Sequence, residues 1–80
     1  MQFDHSKLLG RIREYRYTQE SLAKAIGINE STLNTKLNGK AFFVTKEIDK
    51  ICECLEIPDN EIGVYFFSAK SLEKVNLLNK

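Results

Sequence analysis

Apolar residues recur along this chain in short stripes at helical spacing, separated by polar turns, rather than in the strict alternation of half-buried strands. The first stripe is Leu8, Ile12 and Tyr15, and it predicts a helix that Asp4 caps and that runs to about Arg16, with Phe3 folding back onto it. Leu22, Ala23 and Ile26, then Ile28, then Leu33 and Leu37 give two more short stripes with Gly27 between them. They predict helices over about 19–26 and 30–37. Thr18 is placed to cap the former, and Asn29 to cap the latter by accepting from the N–H of Ser31 or Thr32. Gly27 can take the left-handed conformation a tight turn requires, and Asn38-Gly39 is a residue pair that readily supplies a helix exit.

Thr45 is expected to cap a fourth helix to about Leu55, with Ile48, Ile51, Cys52 and Leu55 inward and Ile57-Pro58 as its stop. Its acids Glu47, Asp49, Glu53 and Glu56 read as a solvated face. A short fifth helix, weakened by Gly63, runs from Asp59 or Asn60 to Phe66. Phe42, Phe43 and Val44 in the preceding loop are expected to cover an incomplete core rather than stack on bases. Leu72, Val75 and Leu78 in the tail fit a sixth helix, an arm on a partner subunit or a frayed end, and nothing in the sequence separates these. The expected organisation is one all-α, five-helix domain over residues 1–67 and a C-terminal tail over 68–80, a candidate dimerisation segment.

The pattern of Gln19, Ala23, Gly27, Ile28, Leu33 and Asn38-Gly39 resembles the helix-turn-helix of the lambda repressor and Cro superfamily, over roughly residues 6–57. Each position meets a steric requirement of packing two helices across a short turn. Lys36 departs from the family, which usually has an apolar residue there; its methylenes would lie along the core edge with the ammonium in solvent. With Leu33 and Leu37 inward, Ser31, Thr35 and Asn38 face outward and Thr32 and Asn34 flank them, a short uncharged surface. The resemblance implies a DNA-binding fold in which Glu30, Ser31, Asn34 and Thr35 read bases, Glu30 by accepting from cytosine N4. It also implies that Gln19 grips a phosphate at a helix N-terminus, and Asn38 and Lys40 are placed for the backbone on the other side. Useful affinity would need two copies on a palindromic operator with half-sites about 34 Å apart. Tyr65, Phe66, Phe67 and Leu72 are the candidate dimer contacts, although part of GVYFF is equally suited to the core.

Composition bounds this picture. Eighty residues make one domain that buries only about 60–65% of its unfolded surface, too little for an ordinary enzyme cleft. The net charge of +1 hides an asymmetry. Residues 11–40 carry six cations against three anions, and residues 41–67 two against six, so phosphate would be drawn to the half that holds the two-helix pair. Cys52 and Cys54, about 200° apart around a helix, cannot share an ion or a disulfide. His5 is far from both in sequence and is assigned no role. No nucleophile–base pair, glycine-rich phosphate loop or zinc-ligand set is found. No apolar run reaches the roughly 20 residues of a membrane span, and MQFDHSKLLG has no secretory character.

The expectation is a cytoplasmic, non-enzymatic transcriptional regulator, a Cro-like phage or prophage repressor that binds an operator as a homodimer. It would need no metal, cofactor or small-molecule substrate, and no membrane. The alternative is a protein-interaction module, antirepressor or antitoxin-like, that keeps the fold and uses its acidic face and aromatic C-terminus.

Overall fold

The computed structural model describes residues 3–68, and they fold as five α-helices: α1 Ser6–Glu14, α2 Gln19–Ile26, α3 Glu30–Leu37, α4 Thr45–Leu55 and α5 Ile62–Phe66. A single 3₁₀ turn, Asp59–Glu61, leads into α5. None of these helices is long and apolar enough to cross a membrane.

Helix boundaries follow from local chemistry. Thr18 accepts from the N–H of Ser21 at 3.0 Å while the Ser21 hydroxyl accepts from the N–H of Thr18 at 2.9 Å, a reciprocal cap that fixes the start of α2. Gly27, at φ 86°, ends α2, and its N–H and that of Ile28 both donate to the Ala23 carbonyl. Asn29 then caps α3 by accepting from Thr32 N–H at 2.8 Å. Three residues, Gly27 to Asn29, separate α2 from α3 as a result, and the two helices pack against each other as a corner. Gly39, at φ 80°, makes the exit expected of it.

α1 stops at Glu14, two residues early, because Arg16 takes a left-handed conformation at φ 65°. Asp4 Oδ1 accepts from Ser6 N–H at 2.9 Å, so the acid serves the helix start from one position upstream of the His5 cap. Thr45 is the first residue of α4 rather than its cap. Glu47 supplies the capping contact instead, its Oε1 accepting from Val44 N–H at 3.0 Å. The Asp4 N–H donates to the Ser68 carbonyl at 2.6 Å, which joins the two ends of the described chain.

One core gathers the inward stripes: Leu8 and Ile12 of α1, Leu22, Ala23 and Ile26 of α2, Leu33 and Leu37 of α3, and Ile48, Ile51 and Leu55 of α4, with Ile57, Tyr65 and Phe66. α2 packs on α3 and α4, and α1 packs on α5. Tyr65 and Phe66, expected among the dimer contacts, are 5% and 2% exposed: the five-residue α5 is anchored chiefly by these two rings, with Ile62 partly buried beside them, so they turn inward. Leu72, with the rest of the tail from residue 69, lies outside the described residues.

Candidate functional site

Two surfaces stand out, and they differ in chemistry. The first is the outer side of α3. Leu33 and Leu37 are held inward, so Glu30, Ser31, Asn34, Thr35 and Asn38 are exposed, with Lys40 exposed just beyond. Gln19, at the start of α2, is half-buried against them. The three amides form a chain: Asn38 Nδ2 donates to Asn34 Oδ1, and Asn34 Nδ2 donates to Gln19 Oε1, both at 3.0 Å.

The hydroxyls are also engaged. Ser31 donates to Asn29 Oδ1 at 3.1 Å and Thr35 to the Ser31 carbonyl at 3.0 Å. Their protons point back into the helix and their lone pairs outward. Together with the Glu30 carboxylate, the face offers mostly hydrogen-bond acceptors. Its natural complements are N–H donors: the exocyclic amines of cytosine and adenine, or the guanidinium of an arginine.

The second surface is aromatic. Phe42 is 68% exposed and Phe67 52%, and both meet the half-buried Phe3 edge-on at centroid distances of 5.5 and 5.7 Å. Of the three loop residues expected to cover the core, only Phe43 does so, edge-on to Phe66 at 5.4 Å. Val44 is 53% exposed. The loop is short, and one ring fills the gap at the core edge, so its neighbours are left outside.

Beneath these surfaces lie three polar arrangements whose partners are distant in sequence. His5 is buried, its Nδ1–H donating to the Leu37 carbonyl at 3.3 Å and its ring edge-on to Phe43 at 5.4 Å. Lys36 turns toward Glu47 rather than out to solvent. Its Nζ sits 2.7 Å from both oxygens of Glu47, and both side chains are nearly nine-tenths buried. Burial alone would raise the Glu47 pKa, but the Lys36 hydrogen bond, the Val44 N–H and the Lys36 charge together hold it below the usual value. Arg11 turns inward too, donating from Nε to the Leu55 carbonyl at 2.9 Å and from Nη2 to the Glu56 carbonyl at 2.8 Å, where it closes the C-terminal end of α4.

The cysteines behave as packing residues. Cys52 and Cys54 are half-buried free thiols, and burial, with Asp49 and Asp59 nearby, pushes the Cys52 thiol above its usual range. Tyr17 is likewise raised, first by its hydrogen bond with Cys54. Among the described residues no three His, Cys, Asp or Glu side chains come together as a metal site.

Comparison with known proteins adds two findings. A family model described as a protein of unknown function (DUF739) matches residues 1–69. Among solved structures, that of the modulator of repression (MOR) of the temperate bacteriophage TP901-1 from Lactococcus lactis is similar to this chain. The TM-score is 0.69 and the identity 42%, over 84% of this chain and 90% of that one. No curated protein matches the chain.

Proposed function

This chain belongs to the DUF739 family, and we propose that it regulates repression in a bacteriophage or prophage by capturing another regulatory protein on the surface formed by Phe3, Phe42 and Phe67. The observation that carries this reading is the exposure of Phe42 and Phe67, which cluster on Phe3. Exposed aromatic clusters on so small a domain mark contact sites, because isolated rings of this size are otherwise buried. The similar phage protein is named a modulator of repression, a role that contact with a repressor would serve. The reading needs no catalysis, cofactor or membrane, and it puts the protein at work in the cytoplasm.

The exposed α3 face favours a second reading. In it α2 and α3 act as a Cro-like helix-turn-helix, Glu30, Ser31, Asn34 and Thr35 read operator bases, and Gln19, Asn38 and Lys40 hold the backbone of a palindromic site as a homodimer. The two readings separate on an operator–reporter strain in which a phage repressor silences transcription and this chain restores it. Phe42→Ser with Phe67→Ser should abolish the restoration, while Asn34→Ala with Thr35→Ala leaves it intact. The reverse result, with the purified chain selecting defined sequences from a random DNA pool, would overturn protein capture in favour of DNA reading.

A further inference from the structure

We propose that a cavity between the N-terminal segment and the C-terminal end of α3 is a socket for a phenolic group, an aromatic ring that carries one O–H donor. The cavity is about 160 Å³, with Phe3, Leu9 and Leu37 as apolar walls and Asp4, His5, Ser6 and Asn38 as its polar lining. An apolar protein cavity of about 150 Å³ takes up benzene, so the volume suits one six-membered ring.

The polar requirement comes from His5, which is 4% exposed. A carbonyl oxygen only accepts, so the contact with the Leu37 carbonyl at 3.3 Å assigns the imidazole proton to Nδ1. In that tautomer Nε2 is a bare lone pair. That atom is closed to solvent and has no hydrogen-bond partner. A buried acceptor without a donor is rare in folded proteins, and here it belongs to a side chain that lines a cavity walled by Phe3, Leu9 and Leu37 and edged by Asp4, Ser6 and Asn38. A ring with one hydroxyl satisfies both features, whereas a ring without one leaves the acceptor unmet. Phe3 lies beside the imidazole at a centroid distance of 6.2 Å and is only half-buried, so it is the side chain that would swing aside to admit the hydroxyl.

The phenol could arrive as a free small molecule or as a tyrosine side chain. Backbone NMR titration of the full chain with p-cresol, toluene and N-acetyltyrosinamide tests the site and tells the sources apart. p-Cresol should give saturable shifts at Phe3, His5, Leu37 and Asn38 and bind about tenfold more tightly than toluene, the difference one neutral hydrogen bond makes. The His5 Nε2 nitrogen signal should move as it accepts the bond. His5→Asn keeps a donor toward Leu37 but lacks Nε2, and should bind the two rings alike. N-acetyltyrosinamide binding as well as p-cresol identifies a side chain as the occupant, and its exclusion identifies a free phenol. Equal affinity of the wild-type chain for p-cresol and toluene, or an Nε2 signal unmoved at saturation, overturns the socket. Neither outcome bears on repression, which the reporter measures by itself.

Discussion

Glu47→Leu, with Lys36 left in place, should destabilise the domain by about 2–4 kcal/mol. Removing one partner of a fully buried pair costs about 3–5 kcal/mol because the other charge is stranded. Here the side chains retain 13% and 11% exposure, so some hydration survives and the penalty is trimmed. Val44 N–H also loses its acceptor, worth about 1 kcal/mol. At roughly 4–8 °C of Tm per kcal/mol for a domain of this size, thermal unfolding should move down by about 10–25 °C. Lys36→Met should cost a comparable amount, yet Lys36→Met combined with Glu47→Leu should unfold near the wild-type midpoint, since packed apolar side chains commonly replace a buried pair without loss.

Urea titrations of the four proteins, followed by circular dichroism, give the coupling directly. A double variant that loses the sum of the two single losses would refute the pairing as the cause. The pH dependence supplies an independent arm. Glu47 has its folded pKa held below the ordinary 4.5. Its contribution is therefore complete above that value and is lost as pH falls through the lower folded one. Wild type should lose stability below pH 4.5 more steeply than Glu47→Gln, which has no proton to take up.

The glycines give a paired test. Gly27→Ala should cost about 1 kcal/mol, because a Cβ there meets open space but φ is 86°. Gly10→Ala, in the middle of α1 and equally open, should stabilise by about 0.5–1 kcal/mol; urea midpoints of the two variants should shift in opposite directions. Arg11→Met should cost about 1.5–3 kcal/mol through the loss of its two charge-assisted bonds to the end of α4 and of its place over the Tyr15 ring at 4.7 Å. Arg11→Lys should recover under half of that, because one ammonium does not reproduce the guanidinium fork; hydrogen exchange at Leu55–Ile57 reports the loosened helix end.

The helices of the α2–α3 corner were legible because everything that sets them is local. Thr18, Asn29 and Gly27 act on groups within four residues of themselves, and a sequence exposes such neighbours directly. What escaped depends on distant partners. His5 meets Leu37, 32 residues on, and Arg11 meets Leu55, 44 on, so neither has a neighbour that announces its burial. Glu47 was read as solvated from its place among other acids. One clue was available: a lysine at a usually apolar position in one helix, and an acid at the third position of a later one, each odd alone and mutually satisfied together. Tyr65 and Phe66 could not be sorted from Phe67 by composition, since all three are large and apolar and only the direction of a five-residue helix divides them.

These inward-turned cations also change the weight of the two functional readings. By sequence, residues 11–40 carry a net +3, but Arg11 is spent on the end of α4 and Lys36 on Glu47. Arg13, Arg16, Lys24 and Lys40 remain as the exposed cations of that stretch, against Glu14, Glu20 and Glu30, a net of +1. Each phosphate neutralised on duplex DNA contributes roughly −0.9 to the slope of log affinity against log salt, so the four cations of this stretch supply a slope of about −4 per protomer at most. The α3 face itself adds acceptors, which do not attract phosphate. A surface with few free cations beside an uncharged aromatic cluster is better suited to a protein partner than to a nucleic acid. A measured salt slope steeper than about −4 per protomer would demand phosphate contacts beyond the four exposed cations of residues 11–40, and would return the balance to DNA.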